Sequence, residues 1–105
     1  IYLYADVQKA KVLQRKVLSV AIQDEVPQTE AAVFKLFSTK LHQKLANEAM
    51  DILGREGLFR KECQDSHANG KWEWSYRSTL VDTIGAGTTE IQKNTIAKKS
   101  LNLPL

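Results

Sequence analysis

Residues 82–105 read DTIGAGTTEIQKNTIAKKSLNLPL, and they divide into a glycine-containing loop followed by a helix. The Gly-Ala-Gly run at 85–87 predicts a non-helical loop, because glycine permits backbone angles that residues with side chains avoid. Thr88 or Thr89 can be the N-cap of the next helix, and Thr89 with Gln92 has the Thr-x-x-Gln form of a capping box. This stretch therefore predicts a flexible approach to a helix N-terminus.

Such a helix N-terminus has free backbone N–H groups, and the neighbouring side chains here add hydroxyls and the carboxylate of Glu90. The arrangement suits a phosphate or a ribose, since the positive end of the helix dipole lies there. The alternative is that Thr88, Thr89 and Glu90 only cap the helix and complement its dipole. The residues alone are compatible with both interpretations.

Two long helices precede this region. From Leu3 to about Gln23, apolar residues recur at three- and four-residue steps, which is helical periodicity. The Asp-Glu-Val-Pro run at 24–27 ends this helix, because proline disfavours the α conformation in the residue before it. The second helix begins near residue 28 or 29 and continues to Leu53, where Gly54 ends it. The short link predicts that the two helices pack antiparallel.

The apolar residues of these helices indicate which faces are buried. On the first helix, Val12, Leu18 and Ile22 widen the apolar stripe, which predicts contact with more than one partner helix. Lys35 is assigned to the outward face of the second helix. The inward face of the second helix is predicted to contain Phe34, Phe37, Leu41, Leu45, Ala49 and Ile52, with the two phenylalanines in the core.

The remaining segments predict shorter elements. Residues 55–71 are polar, and Asn69-Gly70 indicates a turn within an irregular connection that contains one helical turn. A short helix is predicted from Trp72 to Leu80, with Trp72, Trp74 and Tyr76 as packing residues. The last helix is predicted from Glu90 to about Leu101, closed by Asn102 and Pro104. Because no alternating β pattern is long enough for a sheet, the predicted fold is all-α.

Composition excludes several other classes of protein. The chain has 105 residues, 43% of them hydrophobic and 26% charged, with a net charge of +3, which indicates one globular domain over 1–105. The basic residues are spread along the helical faces beside acidic ones, without a basic arm or an Arg-rich run, which disfavours nucleic-acid binding. The single Cys63 predicts no disulfide and a cytoplasmic location, and no apolar run reaches the ~20 residues of a membrane span. His42 and His67 lack metal-ligand spacing and are predicted to be surface or interface residues.

The chain resembles a known family in several places. The run IGAGTTEIQ at 84–92, continuing through Asn94, Ile96 and Ala97 to LNLP at 101–104, resembles the C-terminal signature of the acyl-CoA dehydrogenases. AVFKLFS at 32–38 and ILG at 52–54 are similar to the long family helix that ends in a Leu-Gly turn. The resemblance implies an up-and-down helical bundle, the family's C-terminal domain, present as a fragment without the first bundle helix.

The resemblance also implies a function for a full-length parent. Family members use FAD to dehydrogenate acyl-CoA thioesters at Cα and Cβ in fatty acid metabolism, and they pass electrons to an electron-transfer acceptor. Homo-oligomers are expected, and the fragment alone is expected to be inactive. Thr88, Glu90 and Gly87 correspond to cofactor contacts. Gly54 corresponds to the first glycine of a turn that meets the FAD of a neighbouring subunit.

The family's catalytic base has no counterpart here. In many members a glutamate immediately precedes the Gly-Thr pair, but this chain has Ala86, so no catalytic residue is assigned, and Glu90 is interpreted as a cofactor contact. A branch similar to isovaleryl-CoA dehydrogenases also has Gly-Ala-Gly-Thr and carries its base on an earlier helix. Two alternatives remain, a non-catalytic helical assembly subunit that pairs with an active one and an independent basic helical binding module.

Overall fold

A computed structural model describes residues 1–104, except for the side chain of His67, so the predictions for that side chain and for Leu105 lie outside the described residues. Within this part of the chain there is no β-strand, which confirms the all-α prediction. The α-helices are α1 (Tyr2–Ile22), α2 (Gln28–Leu53), α3 (Lys71–Asp82) and α4 (Thr89–Lys99). Between α2 and α3 lie a 3₁₀-helix, Gly54–Leu58, and a short turn, His67–Gly70, whose backbone angles are non-helical at Ala68 and Asn69.

Helices α1 and α2 form an antiparallel pair, as the short link predicts. The turn between them includes Asp24 in a left-handed conformation (φ +57°) and Pro27 directly before α2. The Lys44 ammonium lies 3.3 Å from the Asp6 carboxylate, so the beginning of α1 contacts the second half of α2. Local helix-ending residues therefore set both the bounds and the direction of this pair.

Helix α2 is the central helix of the domain. It packs against α1, α3 and α4, and within residues 1–104 the backbone of α1 does not come close to that of α3 or α4. The Gln43 side chain donates to the carbonyl of Thr79 on α3 (3.2 Å). A shallow groove is lined by Gln28 of α2 and Ile91 of α4. Helices α3 and α4 thus follow each other back along α2 and complete most of an up-and-down bundle.

The buried core is small. Among the described residues, the buried apolar side chains are Ala32, Leu41 and Ala46, all on α2. The accessible surface is 7828 Å², about a third more than the roughly 5,900 Å² expected for a folded monomer of this mass. The radius of gyration is 16.8 Å, whereas a compact domain of this length has about 13 Å. Helices α1, α3 and α4 therefore each pack on one side only, against α2, and leave their other apolar faces exposed.

Several residues predicted to pack inward are exposed in this chain. Ile52 at the end of α2 is 83% exposed, and Trp72, Trp74 and Tyr76 on α3 are also exposed. The packing prediction is wrong within this chain for Ile52 and Trp74. Trp72 and Tyr76 share with Thr79 the side of α3 that faces α2, and they line grooves with α2 residues, but they are covered only in part. Phe34 and Phe37 are half-buried, so the core prediction for them is correct only in part. Val12, Leu18 and Ile22 of α1 are exposed as well.

The connection from α2 to α3 is more ordered than the sequence predicts. Ala68, Asn69 and Gly70 are all left-handed (φ +49°, +54° and +69°), which confirms the predicted turn. A Cβ atom on Gly70 would lie 2.4 Å from the backbone nitrogen of Lys61 and 2.7 Å from the carbonyl carbon of Arg60. Only glycine fits at this close approach of two backbone segments.

A carboxylate is buried where this connection meets α3. Arg77 donates from Nε to Glu73 Oε1 (2.5 Å) and from Nη2 to Oε2 (3.1 Å), and Arg60 Nε lies 3.6 Å from the same carboxylate. The Arg77 hydrogen bonds, and secondarily the charges of Arg77 and Arg60, hold the pKa of Glu73 below its ordinary value although burial opposes this shift. The same hydrogen bonds raise the pKa of Arg77. The Arg60–Glu73 ion pair attaches the connection to α3.

We expect Gly70→Ala to lower the free energy of unfolding of the 105-residue chain by at least about 2 kcal/mol, because a Cβ there meets backbone atoms in a left-handed conformation. Gly85→Ala is the matched control, since Gly85 is not left-handed and the nearest atom to its Cβ would be the Val81 oxygen at 3.4 Å. Urea unfolding followed by tryptophan fluorescence measures both. Equal losses in the two variants would contradict the steric argument.

We expect Glu73→Gln to destabilise the chain at neutral pH and to have progressively less effect as the solution becomes acidic. The pKa of Glu73 is lowered on folding, so its contribution is present above the unfolded-state pKa and is lost as the pH falls through the folded-state pKa. Urea unfolding of both proteins across this acidic range measures the difference. A difference in unfolding free energy that stays constant across that range would refute the role of the charge.

Candidate functional site

The candidate site is the loop between α3 and α4. After Asp82 the chain makes a tight turn in which the Ile84 and Gly85 amides donate to the Val81 carbonyl (3.0 and 2.8 Å). The Thr89 amide donates to the carbonyl of Thr83 (3.2 Å), which closes the loop at the start of α4. The predicted non-helical segment at 85–87 is therefore present as a compact closed loop.

Two residues in this loop are left-handed, Ala86 (φ +54°) and Gly87 (φ +94°), whereas Gly85 is not. Left-handed backbone costs a non-glycine residue about 1–2 kcal/mol, so Ala86 needs other contacts to hold it there. One such contact is the Gln92 side-chain amide, which donates to the Ala86 carbonyl (3.2 Å). A Cβ at Gly87 would lie 2.7 Å from this same amide nitrogen, so glycine at 87 leaves room for the contact.

Thr88 is the N-cap of α4. Its backbone is extended (φ −64°, ψ 165°) and its Oγ1 accepts a hydrogen bond from the Ile91 amide (3.2 Å). The predicted capping box of Thr89 with Gln92 is wrong, because Thr89 is already helical and Gln92 lies one position beyond the residue that completes such a box. The Gln92 side chain turns instead to Ala86.

The N-terminus of α4 offers fewer free donors than the sequence suggests. The Thr89 amide is bonded to Thr83 and the Ile91 amide to Thr88, so within the described residues only the Glu90 amide of this first turn has no acceptor. The Glu90 carboxylate is exposed and makes no ion pair or hydrogen bond with the described part of the chain. An anion would therefore meet the Glu90 amide, the Thr88 hydroxyl and the loop amides.

Lys35 is the residue that sequence reasoning missed. It is half-buried on α2, and its ammonium donates to the carbonyl oxygens of Gly85 and Gly87. The prediction that Lys35 points outward is wrong, because the loop covers this part of α2. The contact joins residues that are 50 and 52 positions apart, so no local pattern in the sequence indicates it.

The structure brings together three of the four predicted cofactor contacts. Gly87, Thr88 and Glu90 are neighbours at the loop, but Gly54 lies at the far end of α2, 19 residues beyond Lys35. At about 1.5 Å per residue this separation is about 28 Å along the helix. Gly54 has φ +57° and ψ −134°, angles that favour glycine, and no atom lies within 4 Å of where its Cβ would be. Gly54 and the loop therefore belong to separate surfaces.

Other candidate chemistry is not supported by the described residues. The side chain of Ala86 is a methyl group, which cannot accept a proton. His42 lies on the surface with Nδ1 3.0 Å from Asp82 Oδ2, and Cys63 is free and exposed. In the part of the chain described here, no three His, Cys, Asp or Glu side chains are placed to hold a metal ion. The helices of this same part are also too polar or too short to span a membrane.

Comparison with known proteins extends these observations. A family model described as acyl-CoA dehydrogenase, C-terminal domain, matches residues 1–101. Acyl-CoA dehydrogenase IpdE1 of Mycobacterium tuberculosis is 36% identical over 72 residues, and acyl-CoA dehydrogenase FadE26 of the same organism is 31% identical over 75 residues. These alignments cover 69% and 71% of this chain but only 18% and 19% of the relatives.

Solved structures show the same fold. A structure titled Tcur3481-Tcur3483 steroid ACAD superimposes with a TM-score of 0.90 and 26% identity over 98% of this chain and 27% of that one. The ChsE4-ChsE5 complex from Mycobacterium tuberculosis matches with a TM-score of 0.84 and 25% identity, covering 97% of this chain and 26% of that one. The fold, the loop signature and the family model agree, and the chain belongs to the acyl-CoA dehydrogenase family as its C-terminal domain.

Proposed function

We propose that this domain is part of an FAD-dependent acyl-CoA dehydrogenase that introduces an α,β double bond into acyl-CoA thioesters. The domain contributes to FAD binding through Gly87, Thr88 and Glu90, and to subunit assembly through its open apolar faces. The observation that carries the proposal is the α4 N-terminus, where a capping threonine and an exposed carboxylate follow a left-handed loop. The full-length protein would be cytoplasmic and would pass electrons to an electron-transfer acceptor.

The residues at the loop fit one portion of FAD. The Thr88 hydroxyl and the Glu90 amide are donors suited to phosphate oxygens, and the Glu90 carboxylate can accept from ribose hydroxyls. When bound, the flavin ring supplies the hydride-accepting chemistry of the reaction. The loop holds the other end of the cofactor, so this domain alone is expected to bind FAD weakly and to be inactive.

The catalytic base is assigned outside these 105 residues. Ala86 has no proton acceptor, and Glu90 is committed to the cofactor in this proposal. A general base must lie within hydrogen-bond reach of the proton it removes. A carboxylate from another part of the full-length protein would take the α-proton of the thioester.

A second candidate function is a non-catalytic subunit that pairs with an active, different chain. Two structural neighbours whose titles each name two components support it. The alanine at position 86 is compatible with both candidate functions. The exposed apolar faces suit association with a second copy of this chain as well as with a different chain. Full-length protein that turns over acyl-CoA without any second chain would exclude the second candidate. Activity that requires co-expression of a different subunit would favour it.

We expect the double variant Thr88→Ala/Glu90→Ala of the full-length protein to bind FAD less tightly, by up to about 3 kcal/mol if two hydrogen bonds are lost. At saturating FAD, kcat should return close to the wild-type value, because neither side chain acts on the substrate. Titration of the apoprotein with FAD, followed by kcat measured at saturation, tests both statements.

Thr95→Ala is the control for this variant, because Thr95 lies on α4 and its hydroxyl only donates back to the Ile91 carbonyl (3.0 Å). This control should retain normal FAD affinity. Normal affinity in the double variant together with a collapse of kcat by several orders of magnitude would show that Glu90 takes part in the chemistry.

A further inference from the structure

We propose that Lys35 is a positioning residue for the cofactor phosphates, because its ammonium holds the loop so that backbone N–H groups face outward. This inference rests on the proposed function, in which the loop and the start of α4 contact FAD. It adds a residue on a different helix that touches no part of the cofactor and acts through the loop backbone.

Three carbonyls of the loop are held by side chains. Lys35 reaches from α2 and donates to Gly85 and Gly87, and Gln92 reaches from α4 and donates to Ala86 (3.2 Å). Three successive carbonyl oxygens therefore have side-chain donors. Lys35 supplies two of these contacts with one half-buried cation.

The direction of the carbonyls determines the direction of the next amides. The described peptide bonds are all trans, and in a trans peptide the C=O and the following N–H point in opposite directions. The Ala86 and Thr88 amides therefore point away from Lys35, and the Gly87 amide points away from Gln92. None of these three amides has an acceptor among the described residues. Successive amides in a left-handed turn that have no acceptor are suited to binding an anion.

The charge on Lys35 adds to this effect. An ammonium behind the loop makes the local potential more positive, and a phosphate on the outer side of the loop is attracted to it. Ala86 is held in a conformation that is unfavourable for alanine, so the loop depends on these contacts to keep its shape. With an apolar side chain at position 35, the carbonyls of Gly85 and Gly87 would turn to water and the outward amides would lose their fixed direction.

The test uses the full-length apoprotein with Lys35→Met, Lys35→Arg and Lys40→Met. Lys40 is an exposed lysine on the same helix and is the matched control. Each protein is titrated with FAD and with riboflavin, which lacks phosphate. We expect Lys35→Met to weaken FAD binding by about ten- to hundredfold, because two hydrogen bonds from a charged group are lost. Riboflavin binding should be unchanged, Lys35→Arg should recover most of the FAD affinity, and Lys40→Met should match wild type.

The outcomes separate this inference from the proposed function. If Lys35→Met binds FAD normally while Thr88→Ala/Glu90→Ala does not, the role of Lys35 is refuted and the cofactor contact stands. If Lys35→Met loses FAD and riboflavin equally, Lys35 supports only the fold and the inference is also refuted. If the Thr88/Glu90 double variant itself retains normal FAD affinity, the proposed cofactor contact fails.

Discussion

The packing of three helices onto α2 is the constraint on which the rest of the structure depends. Helices α1, α3 and α4 all contact α2, and its small buried residues Ala32 and Ala46 allow close approach. Lys35, on the same helix, binds two carbonyls of the candidate cofactor loop. The shape of that loop is therefore coupled to the position of the central helix, although the two are far apart in sequence.

Among the α-helices of residues 1–104, α1, α3 and α4 each pack only against α2, so the domain has a small buried core. A chain with 43% hydrophobic residues would ordinarily bury a larger core, yet the described residues include only three buried apolar side chains. Val12 of α1 and Trp74 of α3 are each 63% exposed. Open apolar surface of this extent is typical of a protein interface. Our central proposal is that these faces become buried in the assembled full-length protein.

Local sequence signals predicted the bounds of the long helices well, whereas contacts between residues far apart in the sequence could not be predicted. Helical periodicity with Pro27 and Gly54 predicted α1 and α2 to within a residue or two, because these signals act on neighbouring backbone. The choice of Thr88 over Thr89 as N-cap depends on the backbone angles of one residue, which the sequence does not specify. The contact of Lys35 with the Gly85 and Gly87 carbonyls depends on the tertiary fold, so the sequence alone did not indicate it. For Ile52 and Trp74, an apolar pattern indicates a buried face without indicating which chain covers it.

Hydrogen exchange of the α1 amides tests the central proposal most directly. The measurement compares Tyr2–Ile22 in the 105-residue chain with the same helix in the full-length assembled protein. The account predicts rapid exchange in the short chain and strong protection in the assembly, because the outer face of α1 is covered only there. The central amides of α2 should be the most protected in the short chain. Equal protection of α1 in both proteins would contradict the account.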